Sequence, residues 1–207
     1  MKAALAEPAV SKRRKPQQRR ALATVEAVLD AVIRILKRDG IAGVTTNRIA
    51  EVAGISIGSL YQYFPDKRAI FLALHDRHVR EIVALVERTL IAHADAPLEG
   101  FVAALVGELI EAHGVDPELQ ELLANEVPLG KGGARAFQTT LRRAFHLAIS
   151  ARGAQRYTPA ELDRILFVLP VIVDALTHSI AHARPPKLSL AAAKAEAVRV
   201  VLAYLRA

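Results

Sequence analysis

Between Thr45 and Lys67 the chain reads TTNRIAEVAGISIGSLYQYFPDK, a set of side chains suited to gripping a polyanion and reading hydrogen-bonding edges. Thr45, Thr46, Asn47 and Arg48 open a short amphipathic stretch whose apolar side is Ile49, Ala50 and Ala53. A helix starting there presents free N–H groups and a positive dipole end to a phosphate. The same threonines serve equally well as plain N-caps. Asn47 has the donor and acceptor that pair with adenine N6 and N7. Arg48 suits a phosphate or plain solvent. Gly54 then breaks the stretch and Ser56 caps a second one, from Ile57 to the Phe64-Pro65 step.

Its polar side carries Gly58, Ser59, Tyr61, Gln62 and Tyr63. Ser59 and Gln62 suit base edges, and the phenols of Tyr61 and Tyr63 suit phosphate oxygens. Gly58 costs about 1 kcal/mol of helix propensity, which a closer backbone approach to DNA would explain. Leu60 and Phe64 belong to the core. Two short helices around a glycine turn are the pattern of a helix-turn-helix, which lays its second helix into the major groove. Ile57 and Ser56 fall within the same groove-facing set.

The charge distribution points the same way. Residues 1–80 hold fifteen Lys and Arg against seven Asp and Glu, whereas residues 81–207 hold thirteen against fourteen. The basic excess behind the net charge of +7 therefore sits with the helix-turn-helix pattern, as expected if that third alone meets a polyanion. Residues 1–20, with SKRRKPQQRR, read as a disordered basic tail: a solubilising extension or an arm on phosphates. The start lacks the apolar region of a secretory signal, and no apolar run reads as long and charge-free enough to span a membrane. With no cysteine, disulfides, thiol nucleophiles and thiolate metal sites are excluded. A cytoplasmic, nucleoid-associated location fits these features.

The elements that position these residues read as helices throughout. Apolar spacing of 3.6 recurs from Ala21 to Asp39, with Gly40 as C-cap. Asp66 caps a long helix carrying Ile70, Phe71, Leu74, Val79, Ile82, Leu85 and Val86. Further helices are expected from Pro97 to about His113, from Pro117 over PELQELLAN, from about Ala134 to Ala151, from Thr158-Pro159 to about Ala183, and from Ser189 to the end, with VPLGKGG as a loop. No period-two stretch signals a sheet. The expected fold is all-α, with about nine helices. Domains are expected at 1–20 (tail), 21–67 (DNA-binding, its helix-turn-helix at about 45–64) and 68–207. The last two helices carry more apolar surface than one buried face needs, notably ILFVLPVIVDALTHSI, and that surplus suits a second copy of the chain. Pro170 should kink its helix or cost about 3 kcal/mol.

Other chemistry is weaker. Asp174, His178 and His182 share one helical stripe, which suits either a metal or an ordinary i,i+4 Asp–His pair; no fourth ligand is evident, and no metal is expected. His75 and His78 offer less. The GKGG of Gly130–Gly133 lacks the preceding strand of a phosphate-binding loop. Asp174 in apolar surroundings must be paired, shifted in pKa, or facing water or ligand.

Over residues 21–80 the chain resembles the DNA-binding domain of the tetracycline-repressor (TetR) family of bacterial transcriptional regulators. The resemblance rests on Gly40, Val44–Thr46, Ile49-Ala50, Val52–Ser56, Gly58, Leu60-Tyr61, Tyr63-Phe64 and Asp66-Lys67. It implies a homeodomain-like three-helix head followed by a C-terminal helical domain that binds a ligand and dimerises. It also implies a homodimer through residues 160–183 and 189–206, with each reading helix in one half of a palindromic operator. Lys67 resembles the family's phosphate-binding lysine, and Tyr63 stands where many members have His. The helices enclosing the family's pocket carry Phe101, Leu105, Leu109, His113, Phe137, Leu141, Phe145, Phe167 and Asp174, which implies an unidentified, largely hydrophobic or aromatic small-molecule effector that moves the fourth helix and shifts DNA release. No cofactor, catalysis or membrane partner is implied. The function expected is a ligand-released dimeric repressor. A ligand-independent architectural DNA binder is the alternative, and a helical-bundle enzyme is more remote.

Overall fold

The structure is a computed structural model that describes residues 14–114, 119, 122, 131–152 and 156–206. Its helices are α1 (Arg14–Asp39), a 3-10 turn (Ile41–Gly43), α2 (Thr46–Ala53), α3 (Ile57–Tyr63), α4 (Lys67–Ala92), α5 (Leu98–Gly114), α6 (Lys131–Ala151), α7 (Pro159–Ala183) and α8 (Leu190–Arg206). Among the described residues there is no strand. Of the short helix expected after Pro117, Leu119 and Leu122 fall within the described residues, and both are helical and buried.

Local chemistry sets most boundaries. Gly40, at φ 67°, takes α1 out of the helix, and its N–H reaches the Leu36 carbonyl at 2.9 Å. Gly54, at φ 71°, closes α2 in the left-handed conformation that only glycine adopts without cost. Thr158 and Glu161 form a reciprocal capping box at the start of α7, where Pro159 adds its preset φ. Ser189 accepts the Ala192 N–H at 3.1 Å at the start of α8.

Two boundaries differ from the sequence reading. α1 begins at Arg14, so residues 14–20 are helical rather than part of a tail; residues 1–13 lie outside the described residues. Arg, Lys and Gln are good helix formers, and Pro16 falls in the first turn, where no intrahelical N–H is needed. Likewise α6 starts at Lys131, so Lys131–Gly133 of the expected loop are its first turn.

The chain divides into two compact units, Met1–Ile70 and Phe71–Ala207. In the first, α1 packs on α2 and α2 on α3, around Val28, Leu29, Val32, Ile35, Leu36, Ile49 and Leu60, all at most 1% exposed. In the second, α5 packs against α6, α7 and α8, and α7 also against α6 and α8. Their core is an apolar cluster that includes Phe101, Leu105, Leu109, Leu141, Phe145, Leu169, Val173 and Val201.

By length and composition α7 is apolar enough to cross a membrane, which corrects the expectation that no run reaches that length. From Ile165 to Ala183 its one Asp, Glu, Lys or Arg is Asp174. Of its residues, Ile165, Leu166, Leu169, Pro170, Val173 and Thr177 are buried, while Phe167 and Val171 are exposed. Pro170 removes one ladder N–H from this helix interior, and no cis bond occurs among the described residues.

Candidate nucleic-acid interface

Three short elements bring the residues of 45–67 together. Thr45 is extended at φ −118°, ψ 152°, and its hydroxyl accepts the Arg48 N–H at 3.2 Å. Thr46 opens α2, and its hydroxyl oxygen accepts the Tyr61 phenol at 3.4 Å, which ties α3 to α2. Asn47 is exposed beside them. Arg48, expected at a phosphate or in solvent, pairs within the protein: its guanidinium meets Glu51 at 2.6 Å and Asp39 at 3.9 Å. Asp39 is also held by Arg38 at 2.8 Å, and that hydrogen bond keeps the Asp39 carboxyl below its usual pKa range.

In α3 the Ser56 hydroxyl accepts the Ser59 N–H at 3.0 Å. Leu60 and Phe64 are buried in the core, as expected. Ile57, Gly58, Tyr61 and Gln62 are all exposed, and their spacing puts them on one face of the helix. Ser59 is half-buried, with its hydroxyl in an exposed 2.8 Å hydrogen bond to that of Ser56. Tyr63 is 39% exposed at the end of the helix. Asp66 caps α4 by accepting the Ala69 N–H at 2.7 Å. Lys67 donates to the Val44 carbonyl at 3.4 Å, which steadies its ammonium beside the start of α2.

This arrangement is a helix-turn-helix whose second helix shows a polar, aromatic-flanked face to solvent. Such a face suits a duplex groove.

The comparisons with known proteins decide the family. The model described as bacterial regulatory proteins of the tetR family matches residues 28–74. A second, described as a tetracyclin repressor-like C-terminal domain, matches residues 97–205, more than half the chain. The chain belongs to the TetR family.

The nucleoid occlusion factor SlmA of Actinobacillus pleuropneumoniae is 39% identical to this TetR-family chain over 72 residues, 34% of the chain and 32% of SlmA. The chain thus matches about a third of the length of that relative. The regulator BetI of Burkholderia thailandensis is 26% identical over 150 residues, 72% of the chain and 77% of BetI. Among solved structures, a TetR-family regulator from Mesorhizobium loti aligns with TM-score 0.63 at 19% identity, over 91% of this chain and 96% of that one. FadR from Bacillus subtilis, in complex with stearoyl-CoA, aligns with TM-score 0.66 at 14% identity, over 86% and 98%. At these identities the structures establish the shared fold.

In the second unit, the residues expected around a ligand separate into three groups. Phe101, Leu105, Leu109, Phe137, Leu141 and Phe145 lie in the apolar core, with the rings of Phe101 and Phe145 meeting edge to face at 5.8 Å. Phe167 is 73% exposed. It lines a separate cleft of about 810 Å³ with Tyr157, Ile165, Val168, Tyr204, Arg164 and Arg206. It lies on the exposed side of α7 that also carries Asp163, Arg164 and His178.

His113 and Asp174 join a third group that sequence reasoning assembled only in part. The rings of His78, His113, His178 and His182 form a chain, with centroids 6.0, 5.7 and 4.5 Å apart. The stripe of Asp174, His178 and His182 was legible at i,i+4; the meeting of α4, α5 and α7 was not. Burial pushes His78 down to about 4, aided by the neighbouring imidazoles. Burial likewise lowers His113 and His182, and raises the Asp174 carboxyl. His113 is fixed by a 2.7 Å hydrogen bond between Nδ1 and the Leu109 carbonyl. Among the described residues no three such groups converge as metal ligands.

Proposed function

We propose that this chain is a DNA-binding transcriptional regulator that works as a homodimer and is released from a palindromic operator by a small apolar or aromatic ligand. The observation that carries the reading is the outward face of α3. Tyr61 is 50% exposed beside exposed Gln62, on a helix-turn-helix within the segment that holds the chain's basic excess. That combination supplies electrostatic attraction to phosphates together with donors and acceptors for base edges. The names of two relatives, the regulator BetI and the repressor KstR of Mycobacterium tuberculosis, support it.

Self-association is supported by α7. Opposite its buried side it exposes Phe167 and Val171, at 73% and 48%. An apolar stripe of that kind is suited to cover by a second copy. Ligands in solved structures of like fold, stearoyl-CoA with FadR and resorcinol with RolR, support a ligand of apolar or aromatic character. Such a ligand acts by preferring the conformation that does not hold DNA. A relative named as a nucleoid occlusion factor, SlmA, matches 34% of this chain and gives the architectural alternative only weak support.

Selection of duplexes from a random-sequence pool tests the reading. The expected result is enrichment of a palindrome bound by a dimer, with affinity falling steeply as salt rises. Failure to enrich any duplex at low salt overturns it.

A further inference from the structure

On the outward face of α3, Ile57 stands apart chemically. It is an aliphatic side chain, 38% exposed, on a face otherwise made of Tyr61 and Gln62. Nothing in the first unit needs it in solvent: the core of that unit is closed by Leu60 and Phe64, at 0% and 5% exposure. Its neighbour Gly58 is equally unexplained by the protein. A Cβ built there meets only the Ser56 hydroxyl oxygen, at 3.9 Å. Gly58 also lacks the positive φ seen at Gly40 and Gly54. Packing and backbone therefore both accept alanine, and helix propensity favours it. The open space at Gly58 and the exposed aliphatic group at Ile57 lie side by side, and both face outward.

We infer that Ile57 and the open backbone at Gly58 form an apolar step that reads the C5-methyl group of a thymine in the major groove. The inference rests on the DNA-binding reading above. In the major groove the thymine methyl is the apolar mark on a base edge, and it distinguishes A·T from every other pair. An aliphatic side chain packed on it gains a methyl-sized burial. The missing Cβ at Gly58 lets the base edge reach the helix without a clash. Ser59 bonds to Ser56 and Tyr61 to Thr46, and both hydroxyls keep acceptor capacity beside this apolar step.

The test uses the full chain and the duplex it selects from a random pool, with each thymine replaced singly by deoxyuridine, which lacks that methyl. The wild type should lose about fourfold in affinity at one thymine of each half-site, the scale of one buried methyl. Ile57→Ala should bind the thymine and uracil duplexes alike, and Ile57→Val should keep most of the discrimination. Gly58→Ala should melt no lower than wild type yet bind the duplex more than tenfold weaker. The inference is overturned if the wild type ignores every such replacement, if no thymine occurs in the selected half-site, if Ile57→Ala discriminates as the wild type does, or if Gly58→Ala binds as tightly. Failure to select any duplex instead counts against the DNA-binding reading itself.

Discussion

The hydroxyls of Ser56 and Ser59 lie 2.8 Å apart, and the Ser56 hydroxyl also accepts the Ser59 N–H. Ser59 thus spends its side chain on the start of α3. Ser56→Ala should cost about 1 kcal/mol, the usual size of a lost N-cap, seen as a lower denaturation midpoint. Ser59→Ala should leave the sequence preference of the bound duplex intact, whereas Gln62→Ala should relax it. A changed preference in Ser59→Ala, measured by repeating the selection, would contradict this division of labour.

Lys67 and Tyr61 stand at the edges of the same surface, Lys67 half-buried and Tyr61 half-exposed. Lys67→Ala should weaken binding to all duplexes similarly and lower the slope of log affinity against log salt by about one. Tyr61→Phe should weaken binding through loss of its hydroxyl, with no such change in slope. Salt-titrated mobility shifts separate the two outcomes.

Arg152 holds the turn between α4 and α5. Its guanidinium donates to the carbonyls of Ala96 at 2.6 Å, Ala94 at 2.9 Å and Ala148 at 2.9 Å, as well as that of His93. It also lies 5.8 Å from the centre of the Phe101 ring. Arg152→Ala should destabilise the chain by about 2–3 kcal/mol, because several carbonyls lose their donor together. Arg152→Lys should recover only a part, since an ammonium cannot fork across two segments. Chemical denaturation measures both, and equal stability of the alanine variant would remove this role.

The histidine chain makes stability depend on pH. His78 titrates near 4 when folded against about 6.5 unfolded, so the unfolded chain binds more protons between those values. Stability from His78 is complete above about pH 6.5 and is lost as pH falls toward 4, by on the order of 3 kcal/mol at most. His113 and His182, also lowered, act in the same direction. Asp174, raised by burial, opposes them. His78→Phe should flatten the decline of the melting temperature between pH 6.5 and 4.5; an unchanged profile would contradict the assignment.

Much of the fold was legible because its signals are local. Gly40, Gly54, Ser56, Asp66, Thr158 and Ser189 act within four residues of themselves, and each marks a boundary that the structure keeps. The face of α3 followed from spacing alone; the bond between the Ser56 and Ser59 hydroxyls did not. What stayed hidden depends on distant partners. Arg152 reaches residues 56–59 positions away, and His78 meets His113 across helices. Arg48 comes near Asp39 of α1 only through the fold, whereas its closer partner Glu51 is three residues along the same helix. Phe167 shares the side of α7 that carries Asp163, Arg164, Asp174, His178 and His182, a phase that its aromatic character masked.

The central claim is that the face of Tyr61 and Gln62 holds a duplex groove while α7 and α8 join two copies. Its most direct test is sedimentation of the purified chain at micromolar concentration, alone and with a selected palindromic duplex at low salt. A dimer alone and a salt-sensitive complex of one dimer per palindrome are expected. A monomer that sediments independently of every duplex would contradict it.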